Sequence, residues 1–535
     1  MKSPSPAWLA KSIFYEIYPQ TFADTNGDGI GDLPGVIGKL DYIQSLGCNA
    51  IWLNPCFVSP FGDAGYDVAD FYKVAPRYGT NADLKRLFHE AHRRGMKVCL
   101  DLVAGHTSSE HPWFQASARP EKNKYSNWYV WTDNAWPKPK SGLSTVQGYS
   151  DRDGRYITNF FHFQPALNFG FAKPDESWQL PVTHPDVQAV RQEMFKIMRF
   201  WLDQGADGFR VDMASSLVKN DPGFVKTMEW WKEVRAFYDR EYPDAVLIAE
   251  WSSPRHAIQA GFHIDFLIHF NGLHYTSLFR YEKERDVFLL SHYGHSFFDR
   301  KGKGDITAFL KDYLAHLKAT KDLGYISLPT GNHDISRVAQ GRTKAELEVI
   351  YAFLYTQPGI PYLYYGDEIG MDFIHGLTSK EGAYSRTGSR TPMQWNSQRN
   401  AGFSTAPAQK LYIPLDPSPK RPTVEAQEKD PQSLLNHVRR LAHLRQSLPA
   451  LGADAEFKPV YAKKNAYPFV YLRLDKTSKI LVALNPSAKP CRVRLPGKMS
   501  GEPETLLAKG ATLISKSGKA ELTMTGVSYG IFKVS

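Results

Sequence analysis

The chain has 535 residues, of which 42% are hydrophobic and 22% charged, an ordinary globular composition that excludes a disordered chain. Its formal net charge is +10, but the Lys and Arg residues are scattered, which argues against nucleic acid as a partner. It contains no uninterrupted stretch of about 18 apolar residues, so we expect no membrane span and no membrane partner.

The four cysteines, Cys48, Cys56, Cys99 and Cys491, lack the spacing of a metal site. Cys99 lies within the apolar run KVCLDLV and is expected to be a small buried hydrophobic residue. The first residues, MKSPSPAWLAKS, lack the apolar core of a signal peptide. Together these features predict a cytoplasmic protein in a reducing environment.

Short apolar runs alternate with amphipathic stretches such as ADLKRLFHEAHRRG (82–95) along most of the chain. In chain order the candidate strands are IFYEIYP (13–19), NAIWLNP (49–55), KVCLDLV (97–103), GFRVDM (208–213), AVLIAEW (245–251), IDFLIHF (264–270), YISLP (325–329) and PYLYYG (361–366). Strand–helix alternation at this spacing predicts parallel β/α units. About eight such units predict an α/β fold, a (β/α)8 TIM barrel.

Two regions break this alternation. Residues 107–187 are rich in Asn, Trp, Tyr and Pro without helical periodicity, which predicts an inserted domain B after strand 3. Residues 456–535 contain short alternating strands, which predict a C-terminal antiparallel β-sandwich, domain C. The catalytic barrel, domain A, then comprises residues 1–106 and 188–455, with a long excursion at 371–431.

Ionisable residues lie at or just after four of the predicted strands. In chain order they are Asp101, His106, Arg210, Asp212, Glu250, His333 and Asp334. Because the carboxyl ends of barrel strands converge on one face, we expect these side chains to meet in one site. Any one carboxylate could instead cap a helix or anchor a loop, but four acidic strand ends together favour a shared site.

Carboxylates grouped around one pocket indicate glycoside chemistry. A retaining mechanism needs an ionised nucleophile and a protonated acid roughly 5 Å apart, and crowding two acids raises the pKa of one of them. Arg210, two residues before Asp212, would point to the same side of a strand and hold Asp212 ionised.

Four motifs resemble, in order and spacing, the signature regions of the α-amylase family, glycoside hydrolase family 13. They are DLVAGH (101–106), GFRVD (208–212), AEW (249–251) and NHD (332–334). The resemblance runs through nearly the whole chain, and it is far more specific than any single tripeptide.

The resemblance implies roles for individual residues. Asp212 would be the nucleophile, Glu250 the general acid/base and Asp334 the transition-state stabiliser. The subsite for the reacting glucose would be lined by Asp101, His106, Arg210 and His333, with Tyr66 of GYDVADF as the stacking platform.

Further motifs resemble the oligo-1,6-glucosidase, α-glucosidase and trehalose synthase branch of this family. They are QPALN (164–168, with Ala166 where that branch has Asp), SRTPMQWN (389–396), NAGFS (400–404) and VEAQEKDPQSLLNHVRRL (424–441). In glucosidases of this branch an Asp and an Arg clamp the non-reducing end, and the matching residues are Asp63 and Arg390. The resemblance therefore implies a pocket with exo action on short α-linked glucosides. Both residues could instead form loop salt bridges.

Two positions depart from the family pattern. The family has an Asn calcium ligand before the His of its first region, and Gly105 stands there, so that calcium site is expected to be absent. The residue after the nucleophile helps set linkage preference in related glucosidases, and Met213 matches neither known preference. The linkage therefore stays open.

The loop DTNGDGIGD (24–32) predicts a calcium site. Asp24, Asn26, Asp28 and Asp32 place oxygen side chains along a glycine-bent turn, and the carbonyl of Ile30 could add a ligand. The same loop binds calcium in the oligo-1,6-glucosidase branch, so the resemblance implies a structural ion and no organic cofactor. A metal-free Asp/Asn/Gly turn is the alternative.

The leading functional hypothesis is a retaining α-glucoside hydrolase with a covalent glucosyl–Asp212 intermediate. A trehalose-synthase-type isomerase or transglucosidase is the second, with the 371–431 excursion as a possible lid. Hydrolysis is preferred because AEWSSP (249–254) and GNHDISR (331–337) differ from the versions expected in trehalose synthases. A non-catalytic carbohydrate-binding relative is disfavoured because all three acids are present. The sequence specifies neither substrate length nor oligomeric state.

Overall fold

The computed structural model describes residues 5–136, 138–140, 142–268, 275–279, 295–382 and 384–535. Within these ranges, no helix combines the length and the apolar character needed to cross a lipid bilayer. The strands in chain order are β1 Phe14–Ile17, β2 Ala50–Leu53, β3 Phe57–Val58, β4 Asp70–Val74, β5 Lys97–Leu102, β6 Thr145–Gln147, β7 Arg155–Ile157, β8 Gly208–Val211, β9 Val246–Ala249, β10 Ile264–Phe266, β11 Tyr325–Ser327, β12 Tyr362–Tyr364, β13 Glu456–Tyr461, β14 Phe469–Leu474, β15 Lys479–Asn485, β16 Cys491–Arg494, β17 Glu504–Lys516 and β18 Lys519–Val534.

The α-helices lie mainly between these strands. They are α1 Leu33–Ile37, α2 Leu40–Ser45, α3 Asn81–Arg93, α4 Pro112–Ser117, α5 Pro185–Leu202, α6 Val225–Glu241, α7 Pro254–Gln259, α8 Thr276–Phe279, α9 Thr307–Thr320, α10 Lys344–Thr356, α11 Val424–Glu428 and α12 Leu434–Ser447. Helix α3 shows why the amphipathic stretches fold this way. Its residues Leu84, Leu87, Phe88 and Ala91 are buried at helical spacing, and a capping box at Thr80 starts the helix.

Eight parallel strands form a nearly closed barrel, in the order β11-β10-β9-β8-β5-β2-β1-β12. This confirms the predicted TIM barrel, and all eight candidate runs contain one of its strands. The sixth candidate extended to residue 270, and its last two residues lie outside the described ranges. Strands such as β1, β2 and β8 are buried at every position, because helices cover the outside while side chains fill the interior. Cys99 is fully buried in that interior, as predicted.

Gly208 lets strand β8 lie against β9. Its φ is +147°, and a Cβ placed there would lie 2.1 Å from the carbonyl oxygen of Val246. Only glycine fits such an approach. On the other side of β8 lies β5, and the two strands are parallel neighbours. Arg210 pairs in register with Asp101 there. The local sequence GFRVD therefore sets the spacing of the strand ends.

The chain between β5 and β8 carries helix α4 and the β6–β7 hairpin, and a bridge between Phe171 and Lys219 joins it to the segment after β8. Strands β13 to β18 form one antiparallel six-stranded sheet with a separate apolar core. The antiparallel C-terminal domain is thus confirmed, and the exact limits of the three domains stay a prediction.

Two buried arginines bind carbonyls at the end of α10, and one of them, Arg473, joins the C-terminal sheet to the barrel. Arg473 on β14 donates to the carbonyls of Thr356, Gly452 and Ala455, and Arg445 on α12 donates to the carbonyls of Tyr355 and Gln357. The carbonyls at the end of α10 have no partner within their own helix, so these guanidinium groups satisfy them.

Glu368 should make the stability of this fold depend on pH. Its carboxyl is fully buried, and Oε1 accepts hydrogen bonds from the hydroxyls of Tyr15 and Tyr42, each at 2.7 Å. Burial raises its pKa to about 7, against about 4.3 in an unfolded chain. Between these values the folded protein holds the extra proton, so this group's contribution to stability is lost as pH rises.

We expect Glu368→Gln to remove this pH dependence. The free energy of unfolding of the variant minus that of wild type should increase by roughly 3 kcal/mol between about pH 4 and about pH 8. The reason is that wild type loses stability over this range while Gln does not titrate. Urea unfolding across this range measures the difference. A difference independent of pH would contradict the prediction.

Candidate active site

Arg210 connects the carboxylates at the carboxyl ends of three strands. Its Nη1 lies 2.8 Å from Oδ1 of Asp101 and 3.2 Å from Oδ1 of Asp212, and its Nη2 lies 2.9 Å from Oε2 of Glu250. The Arg210 and Asp101 side chains are 2% and 0% exposed, so solvent screens this network little. The structure thus brings these four predicted residues together.

Asp212 and Glu250 both form ion pairs with the Arg210 guanidinium. Burial raises the pKa of Asp212, the neighbouring Glu250 raises it further, and Arg210 lowers it. Burial also raises the pKa of Glu250, again with Arg210 opposing. Arg210 therefore acts on Asp212 in the predicted direction, but burial and Glu250 outweigh it. The pair retains protons at a pH where isolated carboxyl groups are ionised.

The backbone N–H of Met213 positions the carboxyl group of Glu250. The Met213 φ of +43° is left-handed, a conformation unusual for a side chain of this size, and the N–H donates to Oε2 of Glu250 at 2.9 Å. Such strain persists where surrounding contacts enforce it and clusters at functional sites. The same residue places its side chain on the cavity wall.

His333 and Asp334 lie in the turn that follows β11. Nε2 of His333 lies 2.8 Å from the hydroxyl of Tyr66 and 3.5 Å from Oδ2 of Asp334. Burial lowers the pKa of His333 to about 3, so the ring is neutral near pH 7. Burial alone would raise the pKa of Asp334, but His333, Arg386 and Arg390 together lower it well below its ordinary value. Asp334 is therefore ionised.

Asp63 contacts Arg386, an arginine that was not predicted from the sequence to lie in the site. Its Oδ1 lies 3.4 Å from Nη2 of Arg386, and its Oδ2 accepts from Gln164 at 2.9 Å. Arg390 lies deeper, where it donates to Oδ1 of Asp334 at 3.0 Å and to the carbonyl of His333 at 2.8 Å. Arg386 also donates to Oδ1 of Asp334 at 2.6 Å, so it bridges the two carboxylates, and Arg390 fixes the His333–Asp334 turn from behind. The clamping of a substrate by Asp63 and Arg390 stays a prediction.

The acids face a cavity of about 250 Å³. Of the predicted residues, its wall contains Asp63, Tyr66, His106, Asp212, Glu250 and Asp334. Asp101, Arg210, His333 and Arg390 are buried behind these side chains and hold them. The substrate-binding roles of both sets stay predictions. A cavity of this size suits a small ligand.

Three residues of the site were not predicted from the sequence. Arg386 lies four residues before Arg390, in YSRTGSRTP, and is likewise followed by Thr. This repeated Arg-Thr pair could have identified Arg386 as a second candidate. Gln164 belongs to the QPALN motif. Glu16 is the single acid in the apolar strand IFYEIYP, and a buried carboxyl needs a partner.

A lysine lies beside Gly105, where the family pattern has a calcium ligand. A Cβ on Gly105 would lie 2.8 Å from Nδ2 of Asn159, an amide that contacts Nδ1 of His106 at 3.1 Å. Nζ of Lys219 donates to Oδ1 of Asn159 at 3.1 Å, and burial lowers the pKa of this lysine to about 8. The ammonium group and the amide thus orient the loop that carries His106.

The loop from Asp24 to Asp32 contains only oxygen side-chain donors, the chemistry that calcium prefers. Asp24 and Asp32 use both carboxylate oxygens in hydrogen bonds within or near the loop. Asn26 and Asp28 each accept a backbone N–H, at 2.8 Å, which leaves lone pairs on both side chains. Among the described residues, no three His, Cys, Asp or Glu side chains converge as metal ligands. The loop therefore fits an ion only if Asn26 and the Ile30 carbonyl contribute.

Comparison with known proteins gives a consistent result. Residues 16–454 match the family model of the alpha-amylase catalytic domain. The chain is 33% identical to trehalose synthase/amylase TreS of Mycobacterium tuberculosis (strain CDC 1551 / Oshkosh), over 84% of this chain and 77% of that protein. It is 29% identical to oligo-1,6-glucosidase of Parageobacillus thermoglucosidasius, over 98% and 99% of the two chains.

A similar solved structure is an isomaltulose synthase variant from Erwinia rhapontici NX5, in complex with its natural substrate sucrose. The TM-score is 0.81 at 25% sequence identity, with 99% of each chain covered. The likeness therefore extends over the barrel, the insertion and the C-terminal sheet together.

Replacing Arg210 by Met should destabilise the protein strongly near neutral pH. Asp101, Asp212 and Glu250 would lose their shared cation, and leaving buried charges unpaired costs about 3–5 kcal/mol. The cost should shrink near pH 5, because carboxyl groups freed from the cation bind protons more readily. Urea unfolding at the two pH values measures this difference, with Arg210→Lys as the control that keeps the charge. Equal losses at both pH values would contradict the interpretation.

Proposed function

The chain belongs to the alpha-amylase family of glycoside hydrolases, and from that membership we propose that it is a retaining α-glucoside hydrolase. It would act on short α-glucans and oligosaccharides. The observation that carries the proposal is the convergence of Asp212, Glu250 and Asp334 on one cavity around Arg210. This arrangement also argues against a non-catalytic sugar-binding relative.

In the proposed reaction Asp212 attacks the anomeric carbon while Glu250 gives its proton to the departing glycosidic oxygen. A glucosyl–Asp212 ester results, and Glu250, now a carboxylate, takes a proton from the water that hydrolyses it. Burial raises the pKa of both carboxyl groups, so the resting pair holds a proton; its assignment to Glu250 follows from the match of Asp212 and Glu250 to the family's motifs. Asp334 stays ionised beside the neutral His333 and would stabilise positive charge on the ring.

Exo action follows from the end of the cavity that holds Asp63. The Asp63–Arg386 pair and Gln164 lie there, and all three side chains are buried. Charged and amide groups of this kind match the hydroxyls of a terminal glucose. A longer chain could not continue through that wall, so the substrate would enter with its non-reducing end.

A glucosyl transferase or isomerase of the trehalose synthase type is the second candidate. It is supported by the similarity to trehalose synthase/amylase TreS and by apolar side chains on the cavity wall, namely Phe160, Trp251 and Ile268. Apolar side chains bind the apolar face of a sugar ring better than they bind water. A sugar retained in the cavity would then compete with water in the reaction with the glucosyl–enzyme intermediate.

Product analysis separates the two candidates. Maltose, isomaltose, maltotriose, sucrose and trehalose would each be incubated with the enzyme and the products resolved by chromatography. Free glucose supports hydrolysis, and interconversion of maltose and trehalose without net glucose supports the isomerase. Asp212→Asn should lower activity on aryl α-glucosides by at least ~10⁴-fold, because the nucleophile is lost. Unchanged activity in that variant would overturn the assignment.

We also propose a structural calcium ion in the loop from Asp24 to Asp32. Its ligands would be Asp24, Asn26, Asp28, Asp32 and the carbonyl of Ile30. The proposal is supported by the hard oxygen donors of the loop, and no catalytic residue lies within it.

Chelation tests the calcium proposal. EDTA should lower Tm and added calcium should restore it, because an ion bound only by the folded state stabilises it. Asn26→Ala should abolish the response to EDTA while keeping the buried carboxylates. If EDTA does not change Tm even after unfolding and refolding in chelator, the loop binds no ion.

A cytoplasmic location is proposed as well. All four cysteines lie in described residues and are unpaired, and three of them are buried. Unpaired thiols are usual in a reducing compartment. The proposed partners are α-linked glucosides, with neither nucleic acid nor membrane.

A further inference from the structure

Glu16 is a buried carboxyl that the proposed reaction does not use. It is the third residue of strand β1, is 1% exposed, and pairs in register with Trp52 on one side and Tyr364 on the other. Its Oε1 lies 2.8 Å from Nδ1 of His333. Glu16 therefore contacts the His333–Asp334 turn from inside the barrel.

The hydrogen bonds around Tyr66 locate one proton of His333. Arg210 and Trp52 can only donate, and both donate to Asp101, at 2.8 and 2.9 Å, so Asp101 is an acceptor. Tyr66 has a single hydroxyl hydrogen, and its bond to Oδ2 of Asp101 at 3.0 Å is the charge-assisted one. The 2.8 Å contact between the Tyr66 oxygen and Nε2 of His333 then requires the hydrogen on Nε2.

The other ring nitrogen must accept. Nδ1 of His333 lies 3.2 Å from Nδ2 of Asn54 and 2.8 Å from Glu16, so an amide donor already points at it. A neutral ring protonated on Nε2 has a lone pair on Nδ1. The short contact with Glu16 is then a hydrogen bond only if Glu16 supplies the hydrogen.

Burial favours a neutral Glu16, and the groups around it act in both directions. Burial raises the pKa of Glu16 most. Arg210 on β8 and a hydrogen bond with Asn54 lower it, and the carboxylates Asp334, after β11, and Asp101, on β5, raise it. Burial disfavours a second proton on the His333 ring. Asp334 favours that proton, and the three cations Arg390, Arg210 and Arg386 oppose it.

A count of charges leads to the same result. The carboxyl groups of the buried site are those of Glu16, Asp63, Asp101, Asp212, Glu250 and Asp334. The guanidinium groups among them are those of Arg210, Arg386 and Arg390. An ionised Glu16 would add one more uncompensated buried charge.

We propose that Glu16 is a positioning residue: as a neutral acid it donates its O–H to Nδ1 of His333 and so fixes the ring proton on Nε2, beside Tyr66 and Asp334. The ring orientation and tautomer are then set from inside the barrel. The inference rests on the proposed function for its kinetic readout alone.

The tautomer can be observed without any substrate. Wild-type protein labelled with ¹⁵N-histidine is examined by long-range ¹H–¹⁵N NMR near pH 7, with His333→Asn used to assign the signals. We expect an unprotonated Nδ1 and a protonated Nε2 on His333. A protonated Nδ1 would overturn the proposal, whether or not the protein cleaves glucosides.

Kinetics test the positioning role. Glu16→Gln keeps a neutral donor and should retain kcat/KM within about threefold. The near-isosteric Glu16→Met removes that donor and leaves Nδ1 only the longer 3.2 Å contact with Asn54, so it should lose roughly 10- to 100-fold. Glu368→Gln, another buried carboxyl that contacts tyrosines outside the site, is the matched control and should leave kcat/KM unchanged.

The outcomes separate the hypotheses. If Glu16 were ionised against an imidazolium, Glu16→Gln would lose as much activity as Glu16→Met, which contradicts the proposal. If wild type cleaves no α-glucoside, the proposed function fails, and the NMR signals alone then decide the role of Glu16.

Discussion

The guanidinium of Arg210 is the interaction on which the site depends. Three carboxylates from three separate strands approach within 3.2 Å of its nitrogens, and the guanidinium itself is almost fully buried. Without a cation at this point their mutual repulsion and desolvation would oppose folding. The cation is held in place by strand register, since Arg210 pairs with Asp101 across β8 and β5 and Gly208 permits the close approach of β9. Backbone geometry therefore determines the electrostatics of the site.

A second set of contacts closes the cavity at the Asp63 end. Glu381 has a left-handed φ of +50° and accepts hydrogen bonds from Gln20, Arg77 and Tyr412, at 2.8, 2.8 and 2.7 Å. These bonds tie the segment after β12 to the barrel and to the segment after β4. The segment after β12 also carries Arg386, whose Nη2 donates to the carbonyl of Gly382 at 3.0 Å. The Asp63–Arg386 pair is thus supported by a polar network outside the strand ends.

The sequence was sufficient to predict the barrel and the acids, because both follow from regular periodicity. A strand run that ends in Asp or Glu places that residue at the carboxyl edge of the sheet, so Asp101, Asp212 and Glu250 could be assigned to one site without knowing any loop conformation. Arg386 could not be distinguished from Arg390 in this way. Both stand in an irregular segment, and which one reaches Asp63 depends on loop dihedral angles that the sequence pattern does not encode.

Under the proposed mechanism, hydrolysis and glucosyl transfer use the same acids and the same intermediate. Asp212, Glu250 and Arg210 therefore cannot be what separates them, because each does the same work in either reaction. The difference must then arise where the second reactant approaches the glucosyl–enzyme. Phe160, Trp251 and Ile268 are apolar side chains of the cavity wall, and we propose that they border this approach. Apolar faces there hold a sugar ring and exclude water at once, so they raise transfer and lower hydrolysis together. Under this proposal the balance between hydrolysis and transfer would depend on residues that take no part in bond cleavage.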